Sequence, residues 1–212
     1  MTRPAHPLAV LTGDLVNSTG LGPEKVQRAF AALEGCAETQ AAWMDGQSLH
    51  FTRHRGDGWQ VALAEPKYAL RSALAFRAAL RALGEEYDTY IGSAQGEVEG
   101  EVAPDLNEET RAVFARSGAA LEHTKASDGD IRMSMPEDRR LDAVFALADR
   151  YCAGWTPAQA GALRPMLVPA NAPSYTDLAR SLGKSRQAVT KSLASAGYHN
   201  IRIALTSLEE DA

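Results

Sequence analysis

The segment Leu49-His-Phe-Thr-Arg-His-Arg-Gly-Asp-Gly-Trp-Gln-Val-Ala-Leu-Ala64 reads as two strands folded back on each other. Leu49 to Arg55 and Trp59 to Ala64 carry the aromatic and β-branched residues that fit a pleated surface. Gly56-Asp57-Gly58 between them contains the Asp-Gly pair that tight hairpins favour, because both residues tolerate positive φ. A hairpin here constrains its flanks. Upstream, Val26, Phe30, Leu33 and Ala37 repeat at helical spacing from about Pro23, with Pro23 and Glu24 suited to a first turn. Before that helix, Leu8 to Val16 is a short apolar run interrupted by Gly13-Asp14, and its first part reads as a buried strand. Downstream, Ala69, Ala73, Phe76, Leu80 and Leu83 stripe a helix from Pro66 to about Leu83, closed by Gly84. Tyr87 to Ala94 is a fourth strand. The order strand, helix, strand, strand, helix, strand predicts an α+β, ferredoxin-like fold, an antiparallel sheet with helices on one face.

Beyond this unit, Gly96 to Asp105 reads as a loop rich in Gly and Glu. A helix is expected over Asn107 to His123, a loop over Lys125 to Asp130, and a short strand over Ile131 to Met135. Leu141, Val144, Phe145, Ala148 and Tyr151 then align on one side of a connecting helix. Thr156-Pro157 opens another helix, to about Leu167, and Trp155 before it suits an apolar anchor. A final amphipathic helix runs through Ile201, Leu205 and Leu208. These readings divide the chain into a sheet domain (1–136), a connecting helix (137–154) and a small all-α domain (155–212).

Within the last part, Tyr175-Thr-Asp-Leu-Ala-Arg-Ser-Leu-Gly-Lys-Ser-Arg-Gln-Ala-Val-Thr-Lys-Ser-Leu193 follows the helix-turn-helix plan. Leu178, Ala179 and Leu182 face inward from the first helix, Gly183 supplies the turn, and Ser185 suits an N-cap. Val189 and Leu193 share one face of the second helix. The other face carries Arg186, Gln187, Thr190 and Lys191, with Lys184 and Ser185 at its start. Arg can bridge two acceptors of guanine, Gln can pair with adenine, and Lys, Ser or Thr can hold phosphate. Double-stranded DNA is the implied partner, although a polar face of this kind also suits a helical hairpin that meets only water.

Charge supports the division. Residues 155 to 208 hold six Lys/Arg against one acidic residue, a net of +5 in a chain whose total is −5. DNA would dock where charge is locally positive, whatever the overall pI. No apolar stretch approaches the length of a membrane span and none follows the first residues as an export signal, so a cytoplasmic protein is expected. Cys36 and Cys152 lie within apolar helical patterns and read as buried thiols. His50, His54, His123 and His199 lack the spacing of a zinc site, and a P-loop is missing.

Leu11-Thr-Gly-Asp14-Leu-Val-Asn-Ser-Thr19 and Arg55-Gly-Asp57-Gly-Trp-Gln60 belong together, because the expected topology sets their strands side by side. Asp14 and Asp57 would then share a cation such as Mg²⁺, with amides at the start of the following helix available to a triphosphate. Each aspartate also has a structural role open to it: Asp14 as a cap, Asp57 as the turn residue.

The pair Gly-Asp-Leu-Val-Asn-Ser-Thr and Gly-Asp-Gly-Trp, with aspartates 43 residues apart, resembles the two metal-binding aspartate motifs of class III adenylate and guanylate cyclases. With the C-terminal helix-turn-helix, the chain resembles the SatD family, bacterial proteins that join a cyclase-like domain to a DNA-binding tail. The resemblance implies a Mg²⁺–purine nucleotide ligand at Asp14 and Asp57. It also implies a homodimer with sites across its interface, and a nucleotide-binding role for Arg53, at the position of the family's purine-selecting lysine. Cyclases also place an Asn and an Arg four apart on the later helix. If Arg116 takes the place of that Arg, Ala112 stands where the Asn belongs. If Asn107 and Arg111 are the pair, Glu109 replaces the small residue between them. Either way the catalytic set is incomplete, and the expectation is a transcription regulator whose cyclase-like domain dimerises and senses a nucleotide or metal, without assigned catalytic residues. The alternative is an active cyclase with a helical targeting or dimerisation tail.

Overall fold

The computed structural model describes residues 5–44, 50–54, 56–127 and 131–210. The first strand, β1 (Ala5–Leu15), is followed by a one-turn helix α1 (Ser18–Leu21) and by α2 (Pro23–Ala41). The hairpin forms as β2 (His50–Arg53) and β3 (Gly58–Leu63), with Gly56 at φ 83° in the turn; Leu49 and Arg55, expected at the ends of the first strand, lie outside the described residues. Then come α3 (Ala69–Arg81), β4 (Thr89–Glu99), α4 (Ala112–Ala126), β5 (Met133–Ser134) and α5 (Arg139–Ala153). The chain closes with α6 (Pro157–Leu163), α7 (Tyr175–Ser181), α8 (Arg186–Ser195) and α9 (Tyr198–Glu210).

The fold is α+β, with strand order β2-β3-β1-β4-β5. The first four strands pair antiparallel in the arrangement expected from the element order, with Gly13 opposite Trp59 and Asp14 opposite Gly58. Two corrections follow. β5 joins β4 in parallel, so the sheet is mixed and five-stranded. Helices also cover both faces: α2 and α3 pack on the side of Ala9, Leu11 and Leu15, while α4 packs on the side of Leu8, Val10, Ala94 and Val98. Alternation along β1 sends successive side chains to opposite faces, and with both faces covered its central residues form a continuous apolar run. β4 also extends to Glu99, opposite Ala5, through residues whose Gly and Glu content suggested a loop. In a sheet the partner strand decides such a stretch more than local preference does.

Helix α4 starts five residues later than its sequence suggested. Leu106–Glu108 is a 3₁₀ turn capped by Asp105, whose carboxylate accepts from Asn107 N at 3.0 Å, and Glu109 accepts from Ala103 N at 2.7 Å. Glu109 and Arg111, at ψ 126° and 149°, are extended and separate this turn from α4. The helix also continues to Ala126, which takes Lys125 out of the expected loop; the loop's 128–130 lie outside the described residues.

The C-terminal helices do not close on a core of their own. Trp155 is buried and donates to Ala196 O at 3.0 Å, and Leu163, Leu167, Leu178, Val189, Leu193, Ile201 and Leu205 join the same continuous core as Phe30, Trp59 and Phe76. On α3, Arg71 and Arg77 are 5% and 1% exposed. Arg71 forms a two-pronged pair with Glu209 of α9 at 2.6 and 2.7 Å and donates to Leu167 O and Val168 O. Arg77 holds Asp88 by two bonds of 3.0 Å and also reaches Asp149 of α5. Ion pairs this deep require full pairing to offset desolvation. They were invisible to a reading that treated α3 as one apolar stripe. Cys36 and Cys152 are buried free thiols, as expected, which burial pushes up to about 11 and about 12.

Candidate functional site

The sequence brings Asp14 and Asp57 together at one end of the sheet. Asp14 is the penultimate residue of β1, and Asp57 immediately precedes β3, with Leu15 N donating to Asp57 O at 3.1 Å. Trp59 fixes this end. Its indole lies in the space a Gly13 side chain would need, packs at a 46° tilt with its centroid 4.7 Å from that of the Phe76 ring, and donates to Thr89 Oγ1 at 3.0 Å. Thr89 in turn donates to Asp14 O at 2.9 Å. Gly13 therefore lets an aromatic cross β1 one residue before the carboxylate, tying β3, β1 and β4 together beneath it.

The two carboxyl groups act on each other, and their pKa values shift in opposite directions. Burial raises Asp14 above the usual carboxylate range; the Lys125 ammonium opposes this, and the neighbouring Asp57 adds to it. Burial acts in the same direction on Asp57, but the Ser18 hydroxyl and a hydrogen bond from Asp14 hold Asp57 below the usual range. Two adjacent carboxylates favour one shared proton or one shared cation.

Lys125 is the functional residue that sequence reading missed. Its ammonium lies 2.6 Å from Asp14 Oδ2, which raises the lysine's own pKa. The reach depends on how closely α4 approaches the sheet. A side chain at Gly92 would fall on the backbone of Leu121, and one at Gly96 on the Arg116 guanidinium, so these two glycines on the same face of β4 let the helix lie directly on the strand. Ser117 then meets Thr12 at 2.7 Å, and Gln60 donates to Thr12 at 2.8 Å. Ser117, Leu121 and Lys125 recur every fourth residue along this sheet-facing line. That spacing, extended one turn further, was the signal available.

The remaining residues suggested for nucleotide are not gathered with the pair. Arg53 lies over the Phe30 ring of α2, 3.7 Å from its centroid, and donates to Gln27 at 3.3 Å. Arg116 donates to Gln95 O at 2.6 Å and pairs with Glu137 at 2.9 Å; nine residues of helix put its Cα roughly 13 Å along the axis from that of Lys125. Asn107 and Arg111 do not share a helix, since α4 begins at Ala112. Asn107 contacts His54, while Arg111 pairs with Glu109 and the carbonyls of Glu99 and Glu101.

The donor chemistry of Asp14 and Asp57 fits Mg²⁺. That ion takes hard oxygen ligands, commonly one or two carboxylates completed by water and phosphate. Among the described residues no third His, Cys, Asp or Glu joins them in a metal-sized cluster, so the pair suits a metal carried with a phosphate ligand better than a cage made by protein alone. When bound there, the metal would neutralise phosphate charge. Asp14 and Asp57 would hold it, Ser18 would orient Asp57, and Lys125 would compete with it for Asp14.

In the C-terminal part of the chain, Lys184, Ser185, Arg186, Gln187, Thr190 and Lys191 are all exposed on the turn and outer face of α8. The turn has the expected form: Gly183 adopts φ 62°, Lys184 N donates to Ala179 O at 2.9 Å, and Ser185 caps α8 by accepting from Ala188 N at 3.1 Å. Val189 and Leu193 face inward against buried Leu178 and Ala179. Thr190 donates to Arg186 O. Among the described residues none of the three basic side chains has an acidic partner.

No protein-family model matches the chain, and no curated protein matches it. Among solved structures it is similar to the guanylyl cyclase Cya2, at 20% identity and a TM-score of 0.42 over 58% of this chain and 73% of that one. A bacterial light-regulated adenylyl cyclase matches at 17% identity and a TM-score of 0.45, over 64% and 44% of the two chains. The active GGEEF domain of a diguanylate cyclase from Vibrio cholerae matches at 16% and 0.40, over 57% and 77%. All three of these matches are nucleotide cyclases or a domain of one.

Proposed function

We propose that the chain is a sequence-specific DNA-binding transcription regulator of the SatD type, whose sheet domain dimerises and senses a metal–purine nucleotide without turning it over. The division into 1–136, 137–154 and 155–212 belongs to this reading, with the last part as the reader despite its packing on α3. The observation that carries the proposal is the face of α8. Arg186, Gln187, Thr190 and Lys191, with Lys184 and Ser185 before them, stand exposed on a short helix that follows a tight turn. Their cations have no acidic partner among the described residues. A helix presenting such side chains at its N-terminal end suits the major groove. One such unit makes few base contacts, so two copies are required for specific affinity.

The sensing role rests on Asp14 and Asp57, which lie together, and the absence of turnover rests on the incomplete Asn and Arg set, since Ala112 or Glu109 departs from the cyclase pattern. Among the described residues no helix is long and apolar enough to cross a membrane, in keeping with a cytoplasmic protein on DNA.

Fluorescence anisotropy with the DNA upstream of the coding sequence and a scrambled duplex, with and without Mg-ATP or Mg-GTP, tests both parts. Selective binding that shifts with nucleotide is the expected result. Equal weak binding to both duplexes, combined with metal-dependent formation of a cyclic nucleotide that Asp57→Ala abolishes, would establish the second reading instead. That reading, an active cyclase with a helical tail, is favoured by the aspartate pair alone.

A further inference from the structure

A second cavity lies away from the aspartates, where the sheet half meets the C-terminal helices. It measures about 310 Å³ and is bounded by α2, α3, α6 and the 3₁₀ turn Arg164–Met166. Its size falls within the range that accommodates small organic ligands. Most of the wall is apolar: the Trp43 ring, Ala75, Gly161, Pro165 and Val168. Of the polar groups, the Thr39 hydroxyl is spent on Gly35 O, to which it donates at 2.9 Å, and Arg164 is the one charged side chain in the lining. Arg164 is exposed at the edge and has no acidic partner among the described residues, and none of the lining residues is acidic. Cys36 on the wall stays a neutral thiol, since burial pushes it up to about 11. The Trp43 Nε1–H, closed off from solvent, has no acceptor among the described residues.

We propose that this cavity binds a small monocarboxylic acid with an apolar body of one or two rings, its carboxylate on Arg164 and its body against Trp43, Ala75 and Val168. An apolar pocket with a single cation at its edge selects for a ligand with an apolar end and an anionic end. A guanidinium presents paired donors that match a carboxylate, and the mostly apolar wall has few partners for the hydroxyls of a sugar. An occupant would also press on the segment between the 3₁₀ turn and α7. Val168 lines the cavity, and its carbonyl, with that of Leu167, is held by Arg71, the same side chain that pairs with Glu209 of α9. The acid is therefore an effector of the α3–α9 junction, and its binding raises the thermal stability of the full chain. This assignment is independent of the DNA and nucleotide readings.

Titration calorimetry of the full-length protein with phenylacetate, 2-phenylethanol and phenethylamine tests it, because the three probes share a body and differ in charge. Phenylacetate is expected to bind saturably and raise the melting temperature, the alcohol to bind about tenfold more weakly for want of a charge-assisted bond, and the amine not to bind. Arg164→Gln, a change at an exposed position, is expected to abolish the preference of acid over alcohol. Ala75→Phe is expected to fill the cavity and remove binding of both. Equal affinity for acid and alcohol, an unchanged preference in Arg164→Gln, or no saturable binding of phenylacetate would each overturn the proposal. Should Ala75→Phe fail to fold, the Arg164→Gln comparison alone decides.

Discussion

The sheet end around Asp14 and the outer face of α8 both concentrate charge, and they treat it in opposite ways. At Asp14 nearly every charge is answered within the chain: Lys125 meets Asp14 and Ser18 meets Asp57. On α8, Lys184, Arg186 and Lys191 point into water with no acidic partner among the described residues. Internal compensation makes a site that can be silent until a stronger cation displaces the lysine. Uncompensated charge on a rigid helix makes a surface that is ready for a polyanion, because nothing has to be broken before it binds.

The largest expected effect breaks the first region. Gly92→Val places a side chain on the backbone of Leu121, and the clash should cost about 3 kcal/mol or more. Urea unfolding would register the loss, and a variant as stable as the parent would show that α4 does not need its close approach. Next comes the reader. Arg186→Ala should weaken specific DNA binding by about 1 to 3 kcal/mol and relax preference at one base pair, whereas Lys184→Ala should weaken all sequences alike. Wild-type affinity in both variants would remove the DNA-binding assignment. Ser185→Ala deletes the cap of α8 and should cost about 1 kcal/mol, read as a lower melting temperature with unchanged fold.

Smaller effects sharpen the contrast. Lys125→Ala should strengthen Mn²⁺ binding at the aspartates about two- to fivefold, the scale of a partly exposed ion pair; unchanged affinity by paramagnetic resonance would mean that lysine and metal do not compete. Smallest is a pH effect. Asp14 has its folded pKa raised, so its contribution to stability is fully present below its unfolded value of 3.8 and is lost as pH rises through the folded value. Asp14→Asn should therefore gain stability relative to the parent as pH increases from 3 toward 7, and a difference independent of pH would show that burial does not act on this carboxyl.

What the sequence could show follows the range of its signals. Strand order emerged from the hairpin at Gly56-Asp57-Gly58 and the helical stripes on either side, because turn chemistry and periodicity are local. Local patterns similarly marked Ser185 as a cap, Gly183 as the turn and Trp155 as a buried anchor, and the strand order they implied made Asp14 and Asp57 neighbours. The start of α4 was misread because Glu109 and Arg111 are extended and separate a 3₁₀ turn from the helix, a break that composition does not reveal. Residues that act across long separations were missed for a different reason. Lys125 meets Asp14 across 111 residues of chain and Arg71 meets Glu209 across 138. By itself the sequence determined the elements, their order and which carboxylates and basic side chains are available for chemistry. Tertiary structure alone decided that Lys125 would answer Asp14, that Arg53 and Arg116 would face other partners, and that a cavity would open where α3 meets α6, because each depends on how closely two packed elements approach.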